Sequence, residues 1–254
     1  MKLFTLLLLI AVLSNGFAQD PPRGFYKGTL TYADGKTEEG YIKCPFDHDE
    51  KKIKFIPLKG EDAVKVNSDE LKSLTFTTEK SSYQFNRLRA LIYKKDVFKK
   101  MFWFYFDAEI SCPALSCYIK GKSFDIDRQG KMTLTNQIAR PNFEVEKTYR
   151  STPGGTPVRP TPNYKVENIY IDYYLKKPNE ENANLVGGKM GNKNWKLIFQ
   201  DDPEILKRMG EGKYGPVKGN RKVNKTMDKE TKKLTGNDAV KVLAKDYCEL
   251  HKEK

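Results

Sequence analysis

Short segments of β-strand character, separated by turn-forming residues, fill the chain from residue 24 to about residue 106. The segment 25–32 is rich in aromatic and β-branched residues and stops at Asp34 and Gly35, a pair that favours a hairpin turn. More short apolar segments follow at 40–43, 53–56, 63–66, 74–76 and 83–85. Strands of this length and spacing are typical of a small antiparallel barrel or sandwich.

Residues 101–106 are apolar at every position, which predicts a strand that is buried on both faces. For the whole aromatic run 98–106, core packing is favoured, and an exposed surface for a hydrophobic partner is the alternative. A polar, glycine-rich segment over 178–194 predicts a loop. Further β-rich segments cover 116–126, 131–138 and 164–175.

Helical patterns occupy the end of the chain. Asp201 or Asp202 can cap a helix that begins at Pro203, where proline is favoured. A weakly amphipathic helix is predicted over 222–234, and a firmer helix follows Asn237, its capping residue. The fold class is therefore predicted to be mainly β, a small antiparallel barrel or sandwich, with C-terminal α-helices, and α+β overall.

The N-terminus has the three-part pattern of a cleavable secretory signal peptide. Lys2 precedes the apolar run 3–13, and small residues at Gly16 and Ala18 place the cut after Ala18. The run is short for a membrane span, and no later stretch is apolar enough to be one, so we predict a secreted or periplasmic protein without a transmembrane segment. The predicted organisation is a signal peptide (1–18), a β-rich body (19–150), a Pro/Gly/Thr-rich loop or linker (151–163), a further strand and loop (164–200) and a helical C-terminal segment (201–254).

The chain of 254 residues is strongly basic, with a formal net charge of +13. Only nine of the 46 basic residues are arginine, which indicates a solvated lysine surface rather than arginine forks for bidentate recognition. Export makes nucleic acid a poor candidate partner. Between residues 207 and 233 the chain has ten basic and three acidic residues.

Four lysines of this segment are the candidate contact with an anionic envelope surface or glycan: Lys222, Lys225, Lys229 and Lys232. Attraction of this kind is long-ranged and screened by salt. The alternative is a solvated helix whose charge only keeps the protein in solution. The ligand and partner are otherwise unknown from the sequence.

Four cysteines suit an oxidising compartment. Cys112 and Cys117 enclose a short loop that a disulfide can close, which leaves Cys44 to pair with Cys248. Four cysteines allow three pairings, and free buried thiols are the alternative.

No motif of an enzyme or of a cofactor site is present, and we predict no cofactor and no metal site. The sequence has only two histidines, His48 and His251, and neither has the spacing from a cysteine pair that a zinc site needs. Neither is a good candidate for the histidine of a catalytic triad. His48 is predicted to lie in a solvated hairpin turn. The segment 125–130 resembles the start of a calcium loop, but Asn136 stands where the bidentate glutamate belongs, so a β-turn is predicted.

Paired carboxylates can hydrolyse glycosides without a histidine. Asp107, Glu109 and Asp172 lie among aromatic residues and are the candidates for such a pair. We favour a non-catalytic binding or structural module of the cell envelope. The alternative is a carboxylate-based hydrolase of envelope or extracellular glycans.

The end of the chain carries a resemblance. A Tyr-Tyr-Leu-Lys-Lys strand at 173–177, a helical motif at 195–206 and a closing helix resemble a group of secreted, β-rich proteins with C-terminal helices that are common in Bacteroidota. The resemblance covers mostly residues 164–250. It implies a fold and an envelope location, and it carries no catalytic residue to this chain.

Overall fold

The computed structural model describes residues 22–58, 62–93, 96–135, 137–141, 164–168, 171–186, 191–234 and 236–252. The predicted signal peptide, with its cut after Ala18, and the predicted linker 151–163 lie outside these residues. The predicted fold class is confirmed: the protein is mainly β, with a small closed barrel and C-terminal helices, and α+β overall.

The described residues form fifteen strands, one 3₁₀ turn and five helices. The strands are β1 (Phe25–Tyr32), β2 (Thr37–Lys43), β3 (Phe46–Asp47), β4 (Lys52–Pro57), β5 (Val64–Asn67), β6 (Leu71–Thr77), β7 (Ser82–Tyr93), β8 (Asp96–Phe106), β9 (Ser116–Lys120), β10 (Ser123–Ile126), β11 (Met132–Thr135), β12 (Gln137–Pro141), β13 (Tyr164–Asn168), β14 (Asp172–Lys176) and β15 (Ala183–Leu185). The 3₁₀ turn is Ser68–Glu70, and the helices are α1 (Gly191–Ile198), α2 (Pro203–Gly210), α3 (Arg221–Thr226), α4 (Lys229–Lys233) and α5 (Gly236–Leu250).

Ten strands form one sheet in the order β15-β14-β9-β8-β7-β6-β1-β2-β4-β5. Strand β15 also pairs in parallel with β7, where Ala183 lies opposite Ala90 and Asn184 opposite Leu91. This pairing closes β7, β8, β9, β14 and β15 into a five-stranded barrel, because the sheet returns to a strand that it already contains. Two smaller sheets, β11-β10-β3 and β12-β13, complete the β-structure of the described residues.

Strand β15 corrects the prediction of a loop over 178–194. It has only three residues, too few to show a strand periodicity in the sequence. It is held by backbone pairing on both sides, to β7 and to β14, where Leu185 lies opposite Tyr174.

The barrel interior is filled by side chains that alternate along its five strands, as the two-residue period of a strand requires. The fully buried rings of Phe104 and Tyr174 meet edge to face at its centre, with centroids 4.9 Å apart. The residues of this core are Leu88, Ala90, Phe102, Phe104, Phe106, Tyr118, Tyr174, Ala183 and Leu185.

The open part of the large sheet packs against the small sheet β11-β10-β3. Phe124 of β10 lies at the centre of this second core, 4.8 Å from the ring centroid of Phe85 and 5.3 Å from that of Phe46. Trp103 faces this core, whereas its neighbour Phe104 faces the barrel interior, and both are fully buried. The prediction that this strand is buried on both faces is confirmed at its centre.

The helices cover the outer face of the barrel. Cys117 and Ile119 of β9, with Tyr173 and Leu175 of β14, point away from the barrel interior and pack against the helices. Helix α5 supplies the other side of this core, with the buried residues Val240, Leu243, Ala244 and Tyr247.

Helix capping was predicted correctly at α2 but not at α4 and α5. Asp202 caps α2, which begins at Pro203. The single helix predicted over 222–234 is two helices. Asp228 caps the second one, because its side chain accepts a hydrogen bond from the Thr231 N–H at 2.8 Å. Asn237 lies inside α5 and donates to the Ile171 carbonyl at 3.0 Å, instead of capping the helix.

One disulfide is formed, and the predicted pairing is wrong. Cys112 bonds to Cys248, with the Cα atoms 5.9 Å apart, and Cys44 and Cys117 are free and buried. Cys112 and Leu115 exchange two backbone hydrogen bonds in a tight turn that directs Cys112 to α5. Cys117 lies on β9 inside the helix-covered core, and Cys44 lies in the second core against the Phe124 carbonyl.

Removing the disulfide is expected to destabilise the protein by about 3–5 kcal/mol, because a bond across 136 residues restricts the unfolded chain strongly. The variant Cys112→Ala/Cys248→Ala and the wild type are compared by denaturant unfolding without reductant. With reductant the two should unfold alike. Non-reducing peptide mapping should return a Cys112–Cys248 peptide, and a Cys112–Cys117 peptide would contradict the pairing.

Candidate functional site

A basic arm, defined as residues 220–234, carries the four predicted contact lysines. Asn220 caps α3 by accepting from the Val223 N–H at 3.1 Å. Val223 and Met227 lie against Gly212, a position whose φ of 80° suits glycine. The apolar side of the arm therefore faces the protein, and its lysine side faces outward.

Lys222, Lys225, Lys229 and Lys232 are all exposed, and they form one face. The first two are three residues apart on α3 and the last two are three residues apart on α4, a spacing that places side chains on the same side of a helix. The Lys232 ammonium donates to the Lys225 carbonyl at 3.4 Å, which brings the two short helices together. The predicted residues are thus neighbours in space.

Within the part of the chain that the structure describes, these four lysines have no carboxylate at ion-pair distance. Neighbouring Lys233 does have one, since it pairs with Glu230 at 3.0 Å. The outward face of the arm is therefore a concentration of uncompensated positive charge.

Two basic residues that precede the arm, Arg208 and Lys213, serve the fold instead. Buried Asp246 of α5 accepts hydrogen bonds from Arg208 at 2.7 Å, from Lys213 at 2.6 Å and from the Tyr214 hydroxyl. Burial opposes the charge of this carboxylate, but the three donors together keep its pKa below the ordinary value. This network ties α2 and the loop after it to α5, so Arg208 and Lys213 are already engaged.

A second polar cluster, the barrel mouth, consists of His48, Phe102, Lys120 and Asp172. Lys120 and Asp172 are cross-strand partners on β9 and β14, with Nζ and Oδ2 3.8 Å apart. The Lys120 ammonium lies over the rings of Phe102, at 5.2 Å, and Tyr174, at 5.7 Å. The His48 ring stacks on Phe102 at 5.1 Å, so His48 is half-buried: it lies in a turn, as predicted, but its side chain is not solvated as expected.

Burial dominates the electrostatics of the barrel mouth. It lowers the pKa of Lys120 and raises that of Asp172, although each partner's charge acts in the opposite direction. Burial also lowers the pKa of His48, whose Nδ1 lies 3.0 Å from the Lys122 carbonyl. Lys120 and Asp172 compensate each other's charge within this cluster.

Arg87 is a third buried charge, on the face of β7 away from the barrel interior. Its guanidinium lies 5.3 Å from the centre of the Trp103 ring and pairs with Asp69 at 3.2 Å. Burial lowers the pKa of Arg87, but an arginine stays charged, so Asp69 is its counter-ion. The pair fixes the 3₁₀ turn before β6 to the middle of β7.

The three carboxylates of the hydrolase alternative do not converge. Asp107 lies on the helix side of the sheet, where Lys241 and Tyr173 sense its charge. Exposed Glu109 donates its backbone N–H to Asp107, at 3.2 Å. Asp172 faces the other side, toward Lys120 and the barrel interior. A glycosidase needs two carboxyl groups that flank one bond, and Asp107 and Asp172 lie on opposite faces of a sheet.

The sequence singled out the arm lysines but gave no role to Lys120 or Arg87. Lys120 follows three apolar strand residues, 117–119, which is a signal for a buried and paired charge. Arg87 lies between Asn86 and Leu88 and has no such signal. Their partners are distant in sequence: Asp172 meets Lys120 through the register of β9 and β14, and Asp69 reaches Arg87 from the 3₁₀ turn.

Comparisons with protein families, with curated proteins and with solved structures give no significant match. Among the described residues, no helix has the length and apolar character that crossing a membrane requires.

The neutral His48 ring is expected to make stability depend on pH. Its lowered pKa means that the folded protein resists protonation, so the stabilisation is complete above the ordinary value of 6.5 and is lost as the pH falls below it. Between about pH 7.5 and about pH 5, the wild type should lose unfolding free energy relative to His48→Phe, which keeps the ring stack. Denaturant unfolding at each pH measures this difference, and a difference that does not change with pH would contradict it.

Proposed function

We propose that this protein is an exported, non-catalytic binding module of the cell envelope that attaches to anionic surfaces through its basic arm. The observation that carries the proposal is the arm itself: four exposed lysines on one face without a carboxylate partner among the described residues. Its charge is kept outward by the apolar contacts of Val223 and Met227 with Gly212.

Electrostatics favours a surface over a single small anion as the target of the arm. Like charges on one face repel one another, and a surface with many phosphate or carboxylate groups relieves this repulsion at several points. A lysine near an anionic membrane surface contributes about 1 kcal/mol. Lysine ammonium groups suit such diffuse contacts, whereas bidentate recognition of one group favours arginine.

The predicted signal peptide supports a location in the cell envelope. The N-terminal pattern ending at Ala18 is that of a signal peptide, so the mature chain would begin at Gln19 in the periplasm or outside the cell. The Cys112–Cys248 disulfide suits that compartment, because disulfides persist under oxidising conditions. The hydrolase alternative has less support, since Asp107 and Asp172 lie on opposite faces of the sheet.

Neutralising the arm is expected to abolish most of the surface binding. The mature protein with Lys222, Lys225, Lys229 and Lys232 changed to glutamine should partition onto phosphatidylglycerol vesicles at least about tenfold more weakly than the wild type. Sedimentation with the vesicles measures the partition. Binding of the wild type should fall as salt rises, because charges are screened over about 8 Å at physiological ionic strength.

A matched control removes the same charge elsewhere. It changes the exposed strand lysines Lys27, Lys54, Lys65 and Lys72 to glutamine. This control should bind nearly as well as the wild type, and an equal loss in both variants would mean that only net charge matters. Parallel retention on a sulfated dextran matrix distinguishes a glycan target from a lipid target. Equal binding of the arm variant and the wild type on both surfaces would refute the proposal.

A further inference from the structure

A cavity of about 160 Å³ lies among the C-terminal helices, apart from the lysine face of the arm. Trp195 and Lys196 of α1, Met209 of α2 and the loop 214–218 line it. An apolar cavity of about 150 Å³ is large enough to hold a benzene molecule. The size therefore fits one small apolar group.

The cavity is partly open to solvent and its wall is mixed: Lys196, Lys218 and the loop backbone are polar, whereas the aromatic residues offer apolar surface because their polar ends are bound elsewhere. The Trp195 indole N–H donates to the Val186 carbonyl at 2.8 Å. The Tyr214 hydroxyl donates to buried Asp246. These rings therefore present carbon atoms to the cavity, and so do Met209 and Val217.

Two lysines place positive charge beside the same cavity. Lys196 and Lys218 both line it and are exposed to solvent. Neither has a carboxylate at ion-pair distance among residues that the structure describes. An occupant that carries one negative charge would complement them.

The loop that walls the cavity is held in place. The Val217 N–H donates to the Asn224 side chain at 2.8 Å, and that side chain donates back to the Val217 carbonyl at 2.9 Å. Gly215 has a φ of 116°, and a Cβ there would lie 2.8 Å from the Leu234 carbonyl oxygen. These contacts keep the cavity formed, so an occupant need not order the loop.

From these features we infer that the cavity binds a small amphipathic monoanion, with a benzene-sized apolar group inside and a carboxylate between Lys196 and Lys218. This site does not depend on the surface binding proposed above, because it uses different lysines. It would give the protein a soluble small-molecule ligand in addition to an anionic surface.

The test uses 3-phenylpropionate as the probe and the full mature chain, with binding measured by isothermal titration calorimetry. Saturable binding at one site per chain is expected. The neutral analogue 3-phenylpropanol should bind at least about tenfold more weakly, and acetate should not bind, since each lacks one half of the recognised chemistry. Equal binding of the alcohol, or binding of acetate, would overturn the assignment.

Variants locate the site. Lys196→Gln/Lys218→Gln should weaken 3-phenylpropionate binding at least about tenfold, whereas Lys54→Gln/Lys65→Gln, which removes two exposed strand lysines, should not. Met209→Trp should fill the cavity and abolish binding, and should that variant fail to fold, the lysine pair alone decides. Wild-type affinity in the lysine variant, or no saturable binding to the wild type, would refute the inference. The arm variant should keep 3-phenylpropionate binding, which separates this site from the proposed surface function.

Discussion

Strand β7 pairs with three neighbouring strands. Its parallel pairing with β15 closes the barrel on which the helices pack. Residues 82–86 of β7 pair with β6, residues 85–93 pair with β8, and Ala90 and Leu91 pair with β15. Closure of the barrel gives Phe104 and Tyr174 a sealed interior and turns the opposite faces of β9 and β14 outward. Those outward faces are apolar, so they need the cover that the helices provide.

The helices are fixed to the barrel by interactions of different kinds. The Cys112–Cys248 disulfide joins α5 to the turn before β9, and the Val186 carbonyl at the end of β15 accepts from Trp195 of α1. Asp246 of α5 accepts hydrogen bonds from Arg208, Lys213 and Tyr214. These ties hold α1, α2 and α5, and α1 and α2 supply two walls of the cavity. For the ligand binding proposed above, such fixed elements would lower the entropic cost.

Local chemistry was predictable from the sequence, and long-range pairing was not. The hairpin at Asp34 and Gly35 forms as predicted, with Gly35 at a φ of 90°, and Asp202 caps its helix, because both depend on neighbouring residues. The exposure of the arm lysines likewise follows from a segment with few apolar residues. The disulfide partner of Cys112 depends on how α5 crosses the barrel, and β15 depends on two strands distant in sequence. The cavity arises between three segments and has no sequence signal of its own.

Closure of the barrel by the pairing of β15 with β7 is tested most directly by nuclear Overhauser effects between backbone protons of the two strands in isotope-labelled protein. We expect Hα–HN effects that link Ala183 and Asn184 to Ala90 and Leu91, together with slow amide exchange in β15. The absence of these effects, with amides of residues 183–185 that exchange as fast as those of an open loop, would contradict it.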